Sequence, residues 1–366
     1  MKAVSAFLTV LYPVSFLIVL SLVVIVHEFG HFFAARLSGV KVDEFSLGFG
    51  KILWSRQDKK GTTWKVCLIP LGGYVKMFGD ADAASATADE SAKEFTEEEK
   101  KISFPHQSLP VKAFISVAGP AMNYVFAIVL LTVFLSIFGM VVVPPVISEV
   151  AEGSAAEQAG LMKNDRFISI NGDKIEEFSD VRRHVQLDGV LNIVVLRDGA
   201  EIPLTARLSA EKGGAVLGVQ ALMAADHFKP LNVGQAFVES VKEAWETTVD
   251  TLIVLKRILL GQRSADDMRG PLGIAEASGD AARGGFVSFA LFLVQVSIGI
   301  GLVNLLPVPV LDGGHLLFYA VEGVIRRPIG EKTQTVALNI GLALLLCLLI
   351  VTSWNDIVRI FTRLFR

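Results

Sequence analysis

Four long apolar runs constrain this chain more than any other feature. They cover roughly residues 7–33, 113–141, 289–308 and 336–354, and each approaches or exceeds the about 20 residues a helix needs to cross a bilayer. Lipid offers no partner for backbone N–H and C=O groups, so such runs must be helices that satisfy their own backbone. Of the 366 residues, 52% are hydrophobic and 19% charged. That is too apolar for an ordinary soluble protein and too charged for spans alone. The expected fold is a polytopic α-helical membrane protein with four transmembrane helices, a membrane-associated β-hairpin or sheet and one inserted α+β domain. A net charge of -3 gives no reason to expect a nucleic-acid partner.

Lys2 ahead of an apolar stretch imitates a signal peptide, but no small-residue cleavage site follows, so the stretch is expected to be a retained first span. Pro13 is tolerable near a helix start. The two cysteines, Cys67 and Cys347, lack metal-ligand spacing, and Cys347 sits in an apolar run, so no disulfide framework is expected.

The first run ends in His27-Glu28-Phe29-Gly30-His31. On a helix, His27 and His31 stand one turn apart on one face and can reach one ion. Glu28 is offset by about 100°, close enough to act on a metal-bound water without being a ligand. Alone, the pattern is equally a solvated helix face. Its placement in an apolar run decides the reading, because an ionisable group at membrane depth costs about 2.5–3.5 kcal/mol and marks function. Zinc offsets that cost by ligating the imidazoles.

Between the first two spans, residues 45–51 and 62–77 alternate apolar and polar around Asp58-Lys59-Lys60-Gly61, the pattern of a hairpin or small sheet. Its tail at 68–75 is apolar enough to dip into the membrane interface. Residues 81–101, rich in Ala, Ser, Asp, Glu and Lys, read as a solvated, mobile loop. From Pro144 to about Leu222 the pattern is a helix at 152–161, a strand at 165–170 running into Asn171-Gly172, a helix from Ser179, and a hairpin about Asp198-Gly199. That order is the pattern of a PDZ domain, a module that captures extended peptide at a sheet edge. Residues 233–260 are helical by period, but Glu239, Lys242, Glu243, Glu246 and Asp250 make them an amphipathic surface helix rather than a fifth span. The expected division is 1–37, the first span; 38–112, a loop with the β-region; 113–143, the second span; 144–225, the PDZ domain; 226–285, amphipathic helix and linker; 286–315, the third span; 316–335, a loop; and 336–366, the last span and tail.

The third span runs into Pro307 and Pro309, which must break it. Broken backbone at membrane depth survives only beside protein or a water-filled cavity. Asp312 in Leu311-Asp312-Gly313-Gly314-His315 follows at once. It is a candidate third metal ligand, since a catalytic zinc takes three protein ligands and leaves one position open. Spacing alone equally allows a helix N-cap, and His315 is a rival ligand.

The histidine motif, Gly119-Pro120-Ala121-Met122-Asn123 in the second span and Asn304-Leu305-Leu306-Pro307-Val308-Pro309-Val310-Leu311-Asp312-Gly313 in the third, taken in that order, resemble the site-2 proteases. These are intramembrane zinc metalloproteases, and the likeness is to the bacterial RseP-like group. Gly270-Pro271-Leu272-Gly273-Ile274 also looks family-like. The resemblance implies that Asp312 completes a zinc site with His27 and His31 and that Glu28 is catalytic. It implies that the β-region, with Gly72, Gly73 and Tyr74, receives extended substrate, that Asn304 holds substrate backbone, and that Asn123 supports the site. Asn123 is equally readable as an interhelical tie. The implied substrates are single-span membrane proteins of anti-sigma-factor type, or signal-peptide remnants, after an upstream protease has cut outside the membrane. One PDZ domain, where the best-known member has two, departs from the family pattern.

Arg36, Lys41 and Lys112 flank the first loop and Arg326, Arg327 and Lys332 the third, so both are expected on the cytoplasmic side of a bacterial inner membrane, with the PDZ domain periplasmic. Arg359, Arg363 and Arg366 pull the other way. Two readings from other classes compete: a membrane metal-ion transporter, which commonly shows repeated halves not visible here, and a catalytically inactive PDZ scaffold.

Overall fold

The structure is a computed structural model that describes residues 2–82, 85–88, 95–141, 143–185, 189–208, 217–221, 228–262 and 269–364. Two compact units emerge: residues 1–131, 239–251 and 266–366 form one, and 132–238 with 252–265 the other.

The chain opens with helix α1 (Lys2–Leu37), followed by strands β1 (Val42–Gln57), β2 (Thr63–Met77), β3 (Asp80–Asp82) and β4 (Ser85–Ala88). Helices α2 (Glu97–Ile102) and α3 (Leu109–Phe138) come next. The second unit carries β5 (Met140–Val141), β6 (Ile147–Val150), α4 (Ala155–Gln158), β7 (Arg166–Ile170), β8 (Asp173–Lys174), α5 (Phe178–Val185), β9 (Val190–Arg197), β10 (Ala200–Arg207), β11 (Val219–Ala221) and β12 (Phe228–Lys229). The rest is helical: α6 (Val233–Leu259), α7 (Pro271–Arg283), α8 (Phe286–Leu305), α9 (Asp312–Ile325) and α10 (Glu331–Leu364).

Four helices are long and apolar enough to cross a membrane: Val10–Leu37, Leu109–Phe138, Phe286–Leu305 and Lys332–Thr362. The protein is polytopic. Val19 and Val23 of α1 bury against Leu293 of α8, with Phe126 and Leu130 of α3 packed beside them. The backbones of α1 and α3 come together at Gly30, where an added Cβ would collide with the Ala118 carbonyl. Such close approach is the usual use of small residues between membrane helices.

Several bounds move from those expected. The second span stops at Phe138, because Met140–Val141 pairs with Phe228–Lys229 as a strand. The third stops at Leu305 rather than 308, since Leu306 turns extended ahead of the prolines. Pro13 lies inside α1, three turns from its start. Within 81–101, Glu97–Ile102 is helical behind a Thr96–Glu99 capping box, and Ser85–Ala88 pairs with Asp80–Asp82; residues 83–84 and 89–94 lie outside the described set. Half of the expected loop at 316–335 is helix α9, and the loop's last five residues open α10. The expected linker at 261–285 contains α7.

Helix α7 also bears on the basic tail. Its first turn donates Gly273 N–H to Asp356 Oδ2 of α10 at 2.7 Å, and its last turns hold Tyr12 of α1 through Asp280 Oδ1 at 2.7 Å. The start of the first span and the end of the last therefore lie on one side. Arg359 is paired with Asp356 at 2.8 Å and Glu276 at 3.7 Å, so it is a structural cation rather than a free topology signal.

In the β-region, β1 and β2 each bend, so one pair of strands makes a curled sheet. The second half of β1 pairs with the first half of β2, which also pairs with 44–47, which in turn pairs with 73–77. Bending occurs at Gly48 and Gly50, both at positive φ, and at Gly72 (φ 114°), where a side chain would be strained. Phe49, Ile52, Trp54, Leu68 and Ile69 stand exposed at the bend. Ser21, midway along the first span, hydrogen-bonds the Pro70 carbonyl, so the apolar bend suits a sheet that reaches deeper beside α1 than the interface expected for 68–75.

The second unit has its own core of Ile147, Phe167, Ile170, Val181, Leu191, Ile193 and Val195 beneath a four-stranded sheet ordered β10-β9-β7-β8. Asn171-Gly172 and Asp198-Gly199 both sit at positive φ and make the expected tight turns. The helix expected at 152–161 is a single turn, Ala155–Gln158, capped by Ser154 and ended by Gly160 at φ 79°. Asp165 is fully buried, gripped by Arg197 Nε and Nη2 at 2.7 Å each, while Arg197 also donates to the Gly160 carbonyl. Arg197→Ala leaves that carboxylate buried without its cation. Such a loss costs about 3–5 kcal/mol, and a lowered melting point with faster proteolysis of this unit in the full-length protein is the expected result.

Candidate metal centre

Three residues of α1, the facing stretch of α3 and the break after α8 build one site. His27 and His31 project one turn apart, with ring centroids 4.9 Å apart. After α8, Leu306 to Leu311 crosses in irregular backbone, and Val310 sits at φ 92°, a strained conformation for a β-branched residue. Gly313 and Gly314 pack where a Cβ would collide with the carbonyls of Leu306 and Val308, so the turn closes tightly enough to point Asp312 back at α1.

The donors converge. His27 Nε2 lies 3.2 Å from His31 Nε2 and 3.1 Å from Asp312 Oδ2, and His31 Nε2 lies 3.4 Å from Asp312 Oδ1. Ligand atoms about 2.0–2.1 Å from a tetrahedral zinc stand about 3.3 Å from one another, which these separations match. Asp312 Oδ2 is buried and close to His27 without the alignment of a hydrogen bond, as expected of an atom aimed at a shared cation. Asp312 is not an N-cap: Leu311 occupies that position and Asp312 is the first helical residue.

Both rings are oriented from behind. His31 Nδ1 faces the Ile115 carbonyl at 2.8 Å, so Nδ1–H donates and the Nε2 lone pair points inward. His27 Nδ1 lies 3.3 Å from the buried Asn123 amide, whose Oδ1 otherwise lacks a partner. Turning that amide over lets Oδ1 accept from Nδ1–H and frees the His27 Nε2 lone pair. Ser297 of α8 donates to the Asn123 carbonyl at 2.9 Å and ties the same turn of α3 in place.

Glu28 stands to one side of the donors and meets the outer edge of 73–77, where the Val75 N–H serves its carboxylate. A cavity of about 250 Å³ runs from Glu28 and the donors past Val75 to Asn304, His315 and Tyr319. Asn304 spends its Nδ2 on the Ile300 carbonyl of its own helix, which leaves Oδ1 for the cavity. His315 lines the same cavity three residues beyond Asp312, and its buried Nδ1 has no hydrogen-bond partner. Gly73 backs directly onto Glu28, and Gly72 packs against the Phe49 ring. Tyr74 points elsewhere, its hydroxyl donating to Glu44 at 2.8 Å, and Lys65 pairs with the same carboxylate. Burial works against ionisation there, yet Lys65 and Tyr74 hold Glu44 below its usual range.

Sequence reasoning gave no separate role to Val75, Val310 or, above all, Gly119, though each stands in a stretch it singled out. An added Cβ at Gly119 would fall on His31 Nε2 and 2.9 Å from His27 Nε2. The Gly-Pro pair inside an apolar run was the available signal.

Residues 15–348 match the sequence pattern described as Peptidase family M50. A protein of Rhizobium meliloti named "Putative zinc metalloprotease" is similar to this chain at 40% identity, over 94% of this chain and 95% of its own length. Metalloprotease MmpA of Caulobacter vibrioides is 35% identical over 94% and 95% of the two chains, and the Regulator of sigma E protease of Haemophilus influenzae 30% over 94% and 98%.

Proposed function

The chain belongs to peptidase family M50, and from that premise we propose that it is a zinc metalloprotease of site-2 protease type, cutting membrane-spanning segments of single-span proteins. The observation that carries this reading is the convergence of His27, His31 and Asp312, with ligand atoms all within 4.8 Å of one another and Glu28 beside them but not among them.

Zinc bound to these three residues supplies a Lewis acid that activates water near neutral pH and polarises the scissile carbonyl. Glu28 then serves as base and acid: its carboxylate takes the proton of the attacking water and passes it to the departing amide nitrogen. A helical substrate shields its carbonyls, so it must unwind before it is cut. Among the described residues, 73–77 pairs with a strand on one side only, and an extended segment adding at its outer edge beside Glu28 replaces the hydrogen bonds lost on unwinding. Gly73 leaves room for that approach, and Asn304 Oδ1 is free to accept from substrate backbone. Asn123 acts behind His27 rather than on substrate.

The unit from 144 to 225 is read as a PDZ domain that screens substrates, admitting those already trimmed outside the membrane by another protease. Its core and hairpins support that reading. The Haemophilus relative's name supports anti-sigma factors as the substrate class, with signal-peptide remnants a second. The basic residues at the ends of α1, α3 and α9 support a bacterial inner membrane location with 38–112 cytoplasmic and the PDZ domain periplasmic.

The test is cleavage of a purified single-span substrate by the full-length protein in detergent, with the cut mapped by mass spectrometry. Chelation is expected to abolish cleavage within the apolar segment and stoichiometric zinc to restore it. Cleavage that survives complete removal of the metal, or none at all alongside zinc flux in vesicles, rejects the proposal.

A further inference from the structure

At the C-terminal end of α1, an open cavity of about 520 Å³ lies between the last helical turn and the β1–β2 turn. One wall is Phe32, Phe33 and Leu37; Phe33 is 49% and Leu37 64% exposed. The facing wall is the turn, which presents Lys59 and Lys60 at its surface.

The turn is a stiff frame. Asp58 Oδ1 accepts from the N–H groups of Lys60 at 2.8 Å and Thr62 at 3.0 Å, while Oδ2 accepts from Arg36 at 2.6 Å and Trp64 Nε1 at 3.3 Å. Arg36 also reaches Thr62 at 2.6 Å and lies over the Phe32 ring at 5.0 Å. The one carboxylate in the cavity wall is thereby consumed by Arg36. Two ammonium groups remain at the mouth with no acid in the wall to balance them.

The stretch of α1 long and apolar enough to cross a membrane ends at Leu37, which puts this cavity where hydrocarbon would give way to headgroups. A soluble anion would leave the exposed phenyl and leucyl surface uncovered, and a neutral lipid would leave the charge unmet. We propose that the cavity binds an anionic phospholipid, its phosphate between Lys59 and Lys60 and an acyl chain along Phe33 and Leu37. The bound lipid spans the same joint as the Arg36–Asp58 pair and braces the sheet whose far edge meets Glu28. This goes beyond the peptidase reading, since binding requires neither metal nor turnover.

The test is native mass spectrometry of the full-length protein in detergent, titrated with phosphatidylglycerol or with phosphatidylcholine of the same chains. Phosphatidylglycerol is expected to bind at least tenfold tighter. The double variant K59Q/K60Q should weaken it about twenty-five-fold, from about a fivefold loss per cation. K100Q/K101Q on α2 removes the same charge and should change it less than twofold. If K59Q/K60Q also lowers the melting point, K59R/K60R keeps the charge and must retain binding. Equal binding of the two lipids, equal losses in both glutamine variants, displacement by glycerol phosphate at the lipid's own concentration, or tighter capture of an acidic peptide by the same lysines would each overturn the proposal.

Discussion

Glu28→Gln is expected to lower turnover by about 10²–10⁴ while leaving about one zinc per chain. The amide has nearly the shape of the carboxylate, and its oxygen can still accept from the Val75 N–H that serves Glu28 now. What it cannot do is take a proton. Because Glu28 lies outside the three converging donors, metal content and turnover should separate cleanly in one preparation, measured by elemental analysis beside substrate cleavage. Turnover within tenfold of the parent would remove Glu28 from the chemistry. Loss of the metal would instead make it a ligand.

Gly119→Ala is expected to weaken metal binding by more than the 10–100-fold typical of changes behind a ligand, although it alters no ligand. The new methyl would collide with His31 Nε2 and stand 2.9 Å from His27 Nε2. Helix α3 cannot back away cheaply, because its Ile115 carbonyl and Asn123 amide hold the two imidazoles and its Asn123 carbonyl is tied to Ser297 of α8. Alanine is the better helix former, so helicity by circular dichroism should be preserved while zinc titrations show the loss. Retention of parental zinc affinity and turnover would mean that the imidazoles do not meet against this face of α3.

The spans, the histidine pair and Glu28 were legible because each is a local pattern. A run of apolar residues reports its length directly, and a spacing of four puts two side chains on one helical face whatever surrounds them. The tight turns at Asn171-Gly172 and Asp198-Gly199 were legible for the same reason, since left-handed backbone selects those residues locally. Helices α7 and α9 were obscured. Each is short, and its register depends on partners far along the chain: Asp356 and Tyr12 for α7, the packed Gly313 and Gly314 for α9.

By itself the sequence determined that the chain crosses a membrane, that it carries ionisable groups at that depth, and which of them share a face. Those follow from transfer free energy and helical period, which need no partner to operate. Only the tertiary structure decided that Asp312 returns to meet two imidazoles 281 and 285 residues earlier, that Asn123 and the Ile115 carbonyl orient their rings, and that Gly119 leaves them room. Such convergence depends on where the backbone breaks at Pro307 and Pro309 and on how closely α1 and α3 approach. Both are properties of packing between distant segments, and no local pattern encodes a distance between them.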